Sequence, residues 1–196
     1  MLAQVSGRNG ISTIPTESIL LSKRKIFIEG EITSALACDF MKSIMFLEME
    51  DTSSPIDVII NSPGGEINAG LMMYDIMGGC KSPIRTFCAG KAFSMAAVLF
   101  AAGTDGRYML PYSELMLHEP LLGGDVCGNS SSIKSISDSL IERKKMMNKI
   151  ISKHTGKTEK EVEKNTSYDH YFNAKESVNF GLCDEIISFD KFMEVC

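Results

Sequence analysis

Apolar positions fall alternately into short unbroken runs and into stripes of helical period, beginning at residue 25. Ile26-Phe27-Ile28 reads as a short strand, and Gly30 breaks it. Thr33 or Ser34 caps a helix to about residue 50, on which Leu36, Phe40, Ile44 and Leu47 share one face. The pattern then predicts a strand over 56–61, a helix over 67–77, a strand over 84–89 and a helix over 95–102 closed by Gly103. Strands over 107–110 and 115–117 follow. These strands are apolar with little alternation, which suits burial on both faces, and their alternation with helices predicts an α/β protein with right-handed crossovers.

Residues 129–132 cap a long helix that runs to about 153, roughly 22 residues or about 33 Å. Ile133, Ile136, Leu140, Met147 and Ile150 stripe it, so it must pack along its length or project. His154-Thr155-Gly156 ends that helix, Thr158 and Glu161 box the start of the next, and Asn173 opens another. Residues 1–22 mix glycines and small polar residues with isolated apolar ones and show no period. They are expected as a flexible arm ahead of a single domain over 23–196.

The 196 residues, 44% hydrophobic, are enough for one domain with a substantial core. A net charge of −5 with no long basic block argues against a nucleic-acid surface. No apolar run is long enough to span a bilayer and residues 1–10 lack a signal core, so a cytoplasmic protein is expected. The six cysteines, at 38, 80, 88, 127, 183 and 196, form no C-x-x-C pair and no metal spacing with histidine. Mostly buried thiols are expected, with Cys127 the one to watch beside the candidate site. Gly156-Lys157-Thr158 resembles the end of a phosphate-binding loop, but Ile151 stands where the leading glycine belongs and no strand precedes it. No ATP hydrolysis by this chain, and neither cofactor nor metal, is expected.

The candidate chemistry begins at Gly90-Lys91-Ala92-Phe93-Ser94-Met95-Ala96-Ala97, where a serine separates a run of β-formers from a run of helix-formers. At a helix start, unpaired amides and the helix dipole stabilise negative charge beside the serine oxygen. Leu115-Met116-Leu117-His118 is an apolar strand that ends on a possible base, just before Pro120. Asp169 sits among aromatics ahead of Asn173 and is able to orient an imidazole. Each has a plainer reading when taken alone: an N-cap serine, a structural histidine, a capping aspartate. Asn61-Ser62-Pro63-Gly64-Gly65 is a second strand-to-helix turn, and its adjacent glycines permit positive φ with bare amides.

Ser94, His118 and Asp169, in that order, resemble the proteolytic subunits of the Clp protease family (ClpP). The likeness extends to Asn61 through Gly65, Ala69-Gly70, Tyr74-Asp75, Leu110-Pro111, His118-Glu119-Pro120, His154-Thr155-Gly156 and Gly181-Leu182-Cys183-Asp184, covering roughly residues 25–187. The resemblance implies a ClpP/crotonase-like spiral of strand-turn-helix units with a protruding long-helix handle at about 121–153. It also implies an oxyanion hole from the amides of Gly65 and Met95, and an extended substrate lying beside Gly64, Gly123, Gly124, Asp125, Val126 and Cys127. The implied activity is that of a serine endopeptidase acting on unfolded polypeptides. Its sites would face a chamber of two stacked heptameric rings, a tetradecamer, fed by a partner AAA+ unfoldase.

Three residues depart from the family pattern: Phe93 where a small residue is usual, Ala96 for glycine, and Glu119 for glutamine. A carboxylate at 119 either competes with Asp169 for His118 or faces solvent. These departures motivate a second reading, a catalytically weak ring subunit, and the spiral fold and amide oxyanion hole implied by the resemblance leave a third, a crotonase-like enzyme acting on acyl-CoA thioesters.

Overall fold

The computed structural model describes residues 1–7, 10–123 and 127–195. Strands β1 (Leu2–Gly7) and β2 (Gly10–Pro15) pair as an antiparallel hairpin, and α1 (Thr16–Ser22) follows. Within the segment 1–22, expected as a flexible arm, the described residues form this pair of strands and α1. Cross-strand pairing leaves no short-range hydrophobic period to read.

The main sheet contains β3 (Lys25–Ile32), β4 (Ile56–Gly65), β5 (Ile84–Phe93), β6 (Arg107–Met109) and β9 (Glu185–Ile186), all parallel and adjacent in that order. β7 (Glu114–Leu117) joins β5 in parallel, and β8 (His170–Asn173) pairs β7 antiparallel. Helices α2 (Ser34–Glu50), α3 (Ile67–Gly79) and α4 (Met95–Ala101) make the crossovers. The oxygen of Thr33 accepts the Leu36 amide to cap α2, whose Ala37, Phe40, Ile44 and Leu47 are buried. Every residue of α4 is buried, as a helix apolar on all sides must be. The α/β class expected from the alternating pattern holds.

β4 and β5 continue through the turns that the composition suggested would end them. The sheet bends where the register shifts, between Glu29 and Glu31 and between Ile60 and Ser62, and where Gly90 adopts φ 106°. Two buried serines satisfy the backbone at this bend. The Ser62 hydroxyl donates to the Gly30 carbonyl (2.6 Å), and the Ser113 hydroxyl donates to the Cys88 carbonyl (2.9 Å) while accepting the Gly90 amide (3.0 Å). Below the bend β5 pairs β6, and above it β5 pairs β7. β5 therefore changes partner between Cys88 and Lys91, a few residues before Ser94.

The long helix α5 (Ser130–Thr155) starts on Asn129, whose side chain accepts the Ser132 amide, and stops on Gly156 at φ 70°. Its buried residues, Met147, Asn148 and Ile151, all lie in its second half. Ile133 is exposed and Ile136 and Leu140 are half-exposed, so the first part projects from the body. α6 (Glu159–Thr166) opens with the capping box of Thr158 and Glu161, α7 (Ala174–Phe180) opens with a second box at Asn173 and Glu176, and α8 (Phe189–Val195) closes the described chain. Phe192 of α8 packs edge-on against Phe87 at 5.1 Å, covering the sheet face opposite α2 and α3.

Candidate active site

Ser94 occupies the elbow between β5 and α4 with φ 54° and ψ −122°, one of two non-glycine residues at positive φ among those described. Such a conformation costs on the order of 1–3 kcal/mol and persists only where its surroundings enforce it. Backbone hydrogen bonds do so: the Ser94 amide donates to the Met116 carbonyl (2.7 Å), and the Ser94 carbonyl accepts the amides of Ala97 (3.0 Å) and Val98 (3.4 Å). A further restraint is steric. A Cβ on Gly64, itself at φ 92°, would lie 2.6 Å from the Phe93 oxygen and 2.8 Å from the Ser94 Cβ. Only a glycine lets the end of β4 press this closely on the serine turn. At Gly65 a Cβ would meet the Ile32 oxygen at 2.3 Å. Gly64 thus lies against the elbow, where a Cβ would fall 3.1 Å from the Met95 nitrogen, while Gly65 is pressed against β3.

Among the described residues the Ser94 side chain makes no capping bond, so the ordinary N-cap reading does not apply. Its Oγ lies 2.7 Å from His118 Nε2. Strand register brings the residues together. Phe93 is opposite Met116 in the parallel β5–β7 pair, and Leu117 is opposite His170 in the antiparallel β7–β8 pair. One step further along β7–β8 sets His118 opposite Asp169, while beside β5 His118 falls one residue past the position opposite Ser94, close enough for the two side chains to meet.

The third contact is looser. His118 Nδ1 is 3.6 Å from Asp169 Oδ1, beyond hydrogen-bond reach, and this buried nitrogen has no hydrogen-bond partner among the described residues. The tautomer in which Nε2 accepts the serine proton carries its hydrogen on Nδ1, aimed at that carboxylate. Asp169 is largely exposed, which leaves it free to move.

Glu119 does not compete for the imidazole. Its carboxylate pairs with Lys144 at 2.9 Å, and Lys144 also reaches Glu163 at 3.2 Å. Phe93 packs edge-on against Tyr171 at 5.6 Å, with the Lys91 ammonium over its ring. Ala96 is fully buried in α4. None of these three departures fills the space between Ser94 and His118. Lys144 and Tyr171 carry no sequence signal, because both act across elements distant in the chain.

An apolar pocket of about 30 Å³ opens beside Ser94, walled by Ile67, Val98, Leu117, Pro120, Met147 and Ile151. A larger concavity between α1, β3 and α2 does not include Ser94, His118 or Asp169. Gly123 and Cys127 lie in chain without regular structure, so neither forms a strand residue here, while Gly124, Asp125 and Val126 lie outside the described residues. The five described cysteines are free. Burial pushes the Cys88 thiol up to about 12 and the Cys80 and Cys183 thiols up to about 11, so these three are poor nucleophiles. Cys38 and Cys127 are exposed rather than buried, being set on a solvent-facing helix side and in open chain.

Fold and site together define an α/β protein whose bent, mostly parallel sheet presents a serine hydroxyl to an imidazole at a strained strand-to-helix elbow. The family model described as Clp protease matches residues 8–190. The chain belongs to the Clp protease family, and its coarse activity is that of a peptidase.

Proposed function

We propose that the protein is a serine endopeptidase that cleaves unfolded polypeptides. The observation that carries this reading is the 2.7 Å contact between Ser94 Oγ, held at a strained elbow, and His118 Nε2. Ser94 Oγ attacks the scissile carbonyl as its proton passes to Nε2, forming a tetrahedral oxyanion. The amides of Gly65 and Met95 receive that charge, and loss of one such donor typically removes about 2.7–4 kcal/mol of transition-state stabilisation. His118 returns the proton to the leaving amine, and water then repeats the sequence on the acyl-enzyme. Asp169 closes on Nδ1 to hold the tautomer and to stabilise the imidazolium. The substrate lies extended beside Gly64 and residues 123–127, using main-chain hydrogen bonds that accept many sequences. The apolar pocket beside Ser94 takes the side chain that precedes the cut.

Ring assembly goes with membership of the family. In our reading two heptameric rings stack through the projecting part of α5 and enclose the sites, a cytoplasmic AAA+ unfoldase feeds the chamber, and no cofactor takes part. Labelling with a fluorophosphonate tests the core of the reading: Ser94 should be modified, and Ser94→Ala should not. Absence of label on the assembled protein would overturn it. A second reading, a catalytically weak ring subunit, is favoured by the 3.6 Å gap at Asp169, and the same labelling separates the two.

A further inference from the structure

Lys144 stands on α5 and holds two carboxylates at once, Glu119 at 2.9 Å and Glu163 at 3.2 Å. Glu119 adjoins His118 in the chain, and Glu163 is in the last turn of α6, just ahead of Asp169. One turn along the same face of α5, the buried Asn148 accepts through Oδ1 from the hydroxyl of Thr166, the last residue of α6 (3.3 Å). α5 therefore grips the segment leading to Asp169 at two points and the segment carrying His118 at one. Between those grips lies the unclosed contact, Nδ1 to Oδ1 at 3.6 Å, with Nδ1 buried and unpartnered among the described residues. The gap exceeds a hydrogen bond by only a few tenths of an ångström, so a small displacement of either segment makes or breaks it.

We propose that Lys144 is a positioning residue for the reaction. By tying Glu119 and Glu163 to one ammonium, it fixes the His118 segment against the Asp169 segment and so sets the contact that orients the imidazole. The pairs are partly exposed and contribute little to global stability, which makes geometry their main effect. An arginine, whose fork presents several donors, is able to bridge the same two carboxylates, whereas a methionine fills the space without a charge.

The inference rests on the Ser94–His118 reading, and the experiment keeps the two apart. Steady-state cleavage of a fluorogenic peptide, the rate of fluorophosphonate labelling at Ser94 and the native mass are measured for the unaltered chain, Lys144→Met and Lys144→Arg. The unaltered and Lys144→Met forms are also compared in a His118→Ala background. Lys144→Met should lower kcat and the labelling rate by about 3- to 30-fold, with KM and native mass nearly unchanged. Lys144→Arg should restore both rates to within about twofold of the unaltered chain. In the His118→Ala background Lys144→Met should change nothing further, because its effect passes through the imidazole. Unchanged rates in Lys144→Met, an equal loss without His118, or a loss that tracks dissociation would overturn the proposal while leaving the Ser94 reading intact. No labelling of Ser94 in the unaltered chain would remove both.

Discussion

Replacing Ser94 by alanine and by glycine separates the chemistry of its hydroxyl from the strain of its backbone. At φ 54° and ψ −122° a residue with a Cβ carries on the order of 1–3 kcal/mol of strain. Both substitutions remove Oγ and its 2.7 Å contact with His118, worth about 0.5–1.5 kcal/mol in either case. Glycine alone also relieves the backbone, and its greater freedom in the unfolded chain gives back about 0.5–1 kcal/mol of that gain. The difference favours glycine over alanine by about 1 kcal/mol, the reverse of their order in an ordinary helix or strand. For a chain of this size that corresponds to about 2–4 °C in Tm. Thermal unfolding at equal protomer concentration is the appropriate assay, since assembly shifts the midpoint by mass action. Both variants should lose peptide hydrolysis by at least about 10³-fold. An alanine variant that melts at or above the glycine variant would refute the strain argument, and near-normal turnover in either would remove Ser94 as nucleophile.

Gly64→Ala should destabilise the fold by about 2–5 kcal/mol and slow labelling of Ser94, because the new Cβ meets Phe93 backbone and Ser94 Cβ and also sits at positive φ. A wild-type Tm together with normal labelling would count against this close approach. His154, hydrogen-bonded to the Tyr74 hydroxyl at 2.8 Å, is held below its ordinary value by burial first and then by Lys153 and Arg107. The unfolded chain binds that proton more readily, so the contribution to stability is full above about pH 6.5 and is lost as pH falls through the imidazole range. His154→Gln should flatten Tm against pH in that window, and an unchanged slope would assign the dependence elsewhere. The assembled chain should cleave short peptides unaided yet leave stably folded proteins intact unless an ATP-driven unfoldase is added, because a domain stable by about 5–15 kcal/mol rarely exposes an extended segment. Rapid ATP-free digestion of a folded protein would sink the chamber reading.

Local chemistry was enough to place most elements. Thr33, Asn129, Thr158 and Asn173 cap helices through hydrogen bonds that span three residues, and Gly156 ends α5 with a backbone conformation that glycine adopts freely. The apolar runs beginning at 56 and 84 became central strands because no alternating, half-solvated sheet accommodates them. Ser94 and His118 were likewise legible as candidates, since each lies at the end of a predicted element, and Asp169 as the acid among aromatics ahead of the Asn173 cap. What the chain order did not contain was register. Only the parallel pairing of β5 with β7 and the antiparallel pairing of β7 with β8 decide that these element ends meet, and both depend on a bend whose buried serines act across more than twenty residues. The hairpin at 1–15 was hidden for the same reason, as cross-strand partners leave no short period. The stripe on α5 was visible, yet which part of it packs and which projects was set by where α6 docks, and Glu119 found Lys144 rather than His118 only once that helix lay alongside. A sequence specifies interactions within a few residues directly, whereas contacts between distant segments exist only after the core has fixed their separation.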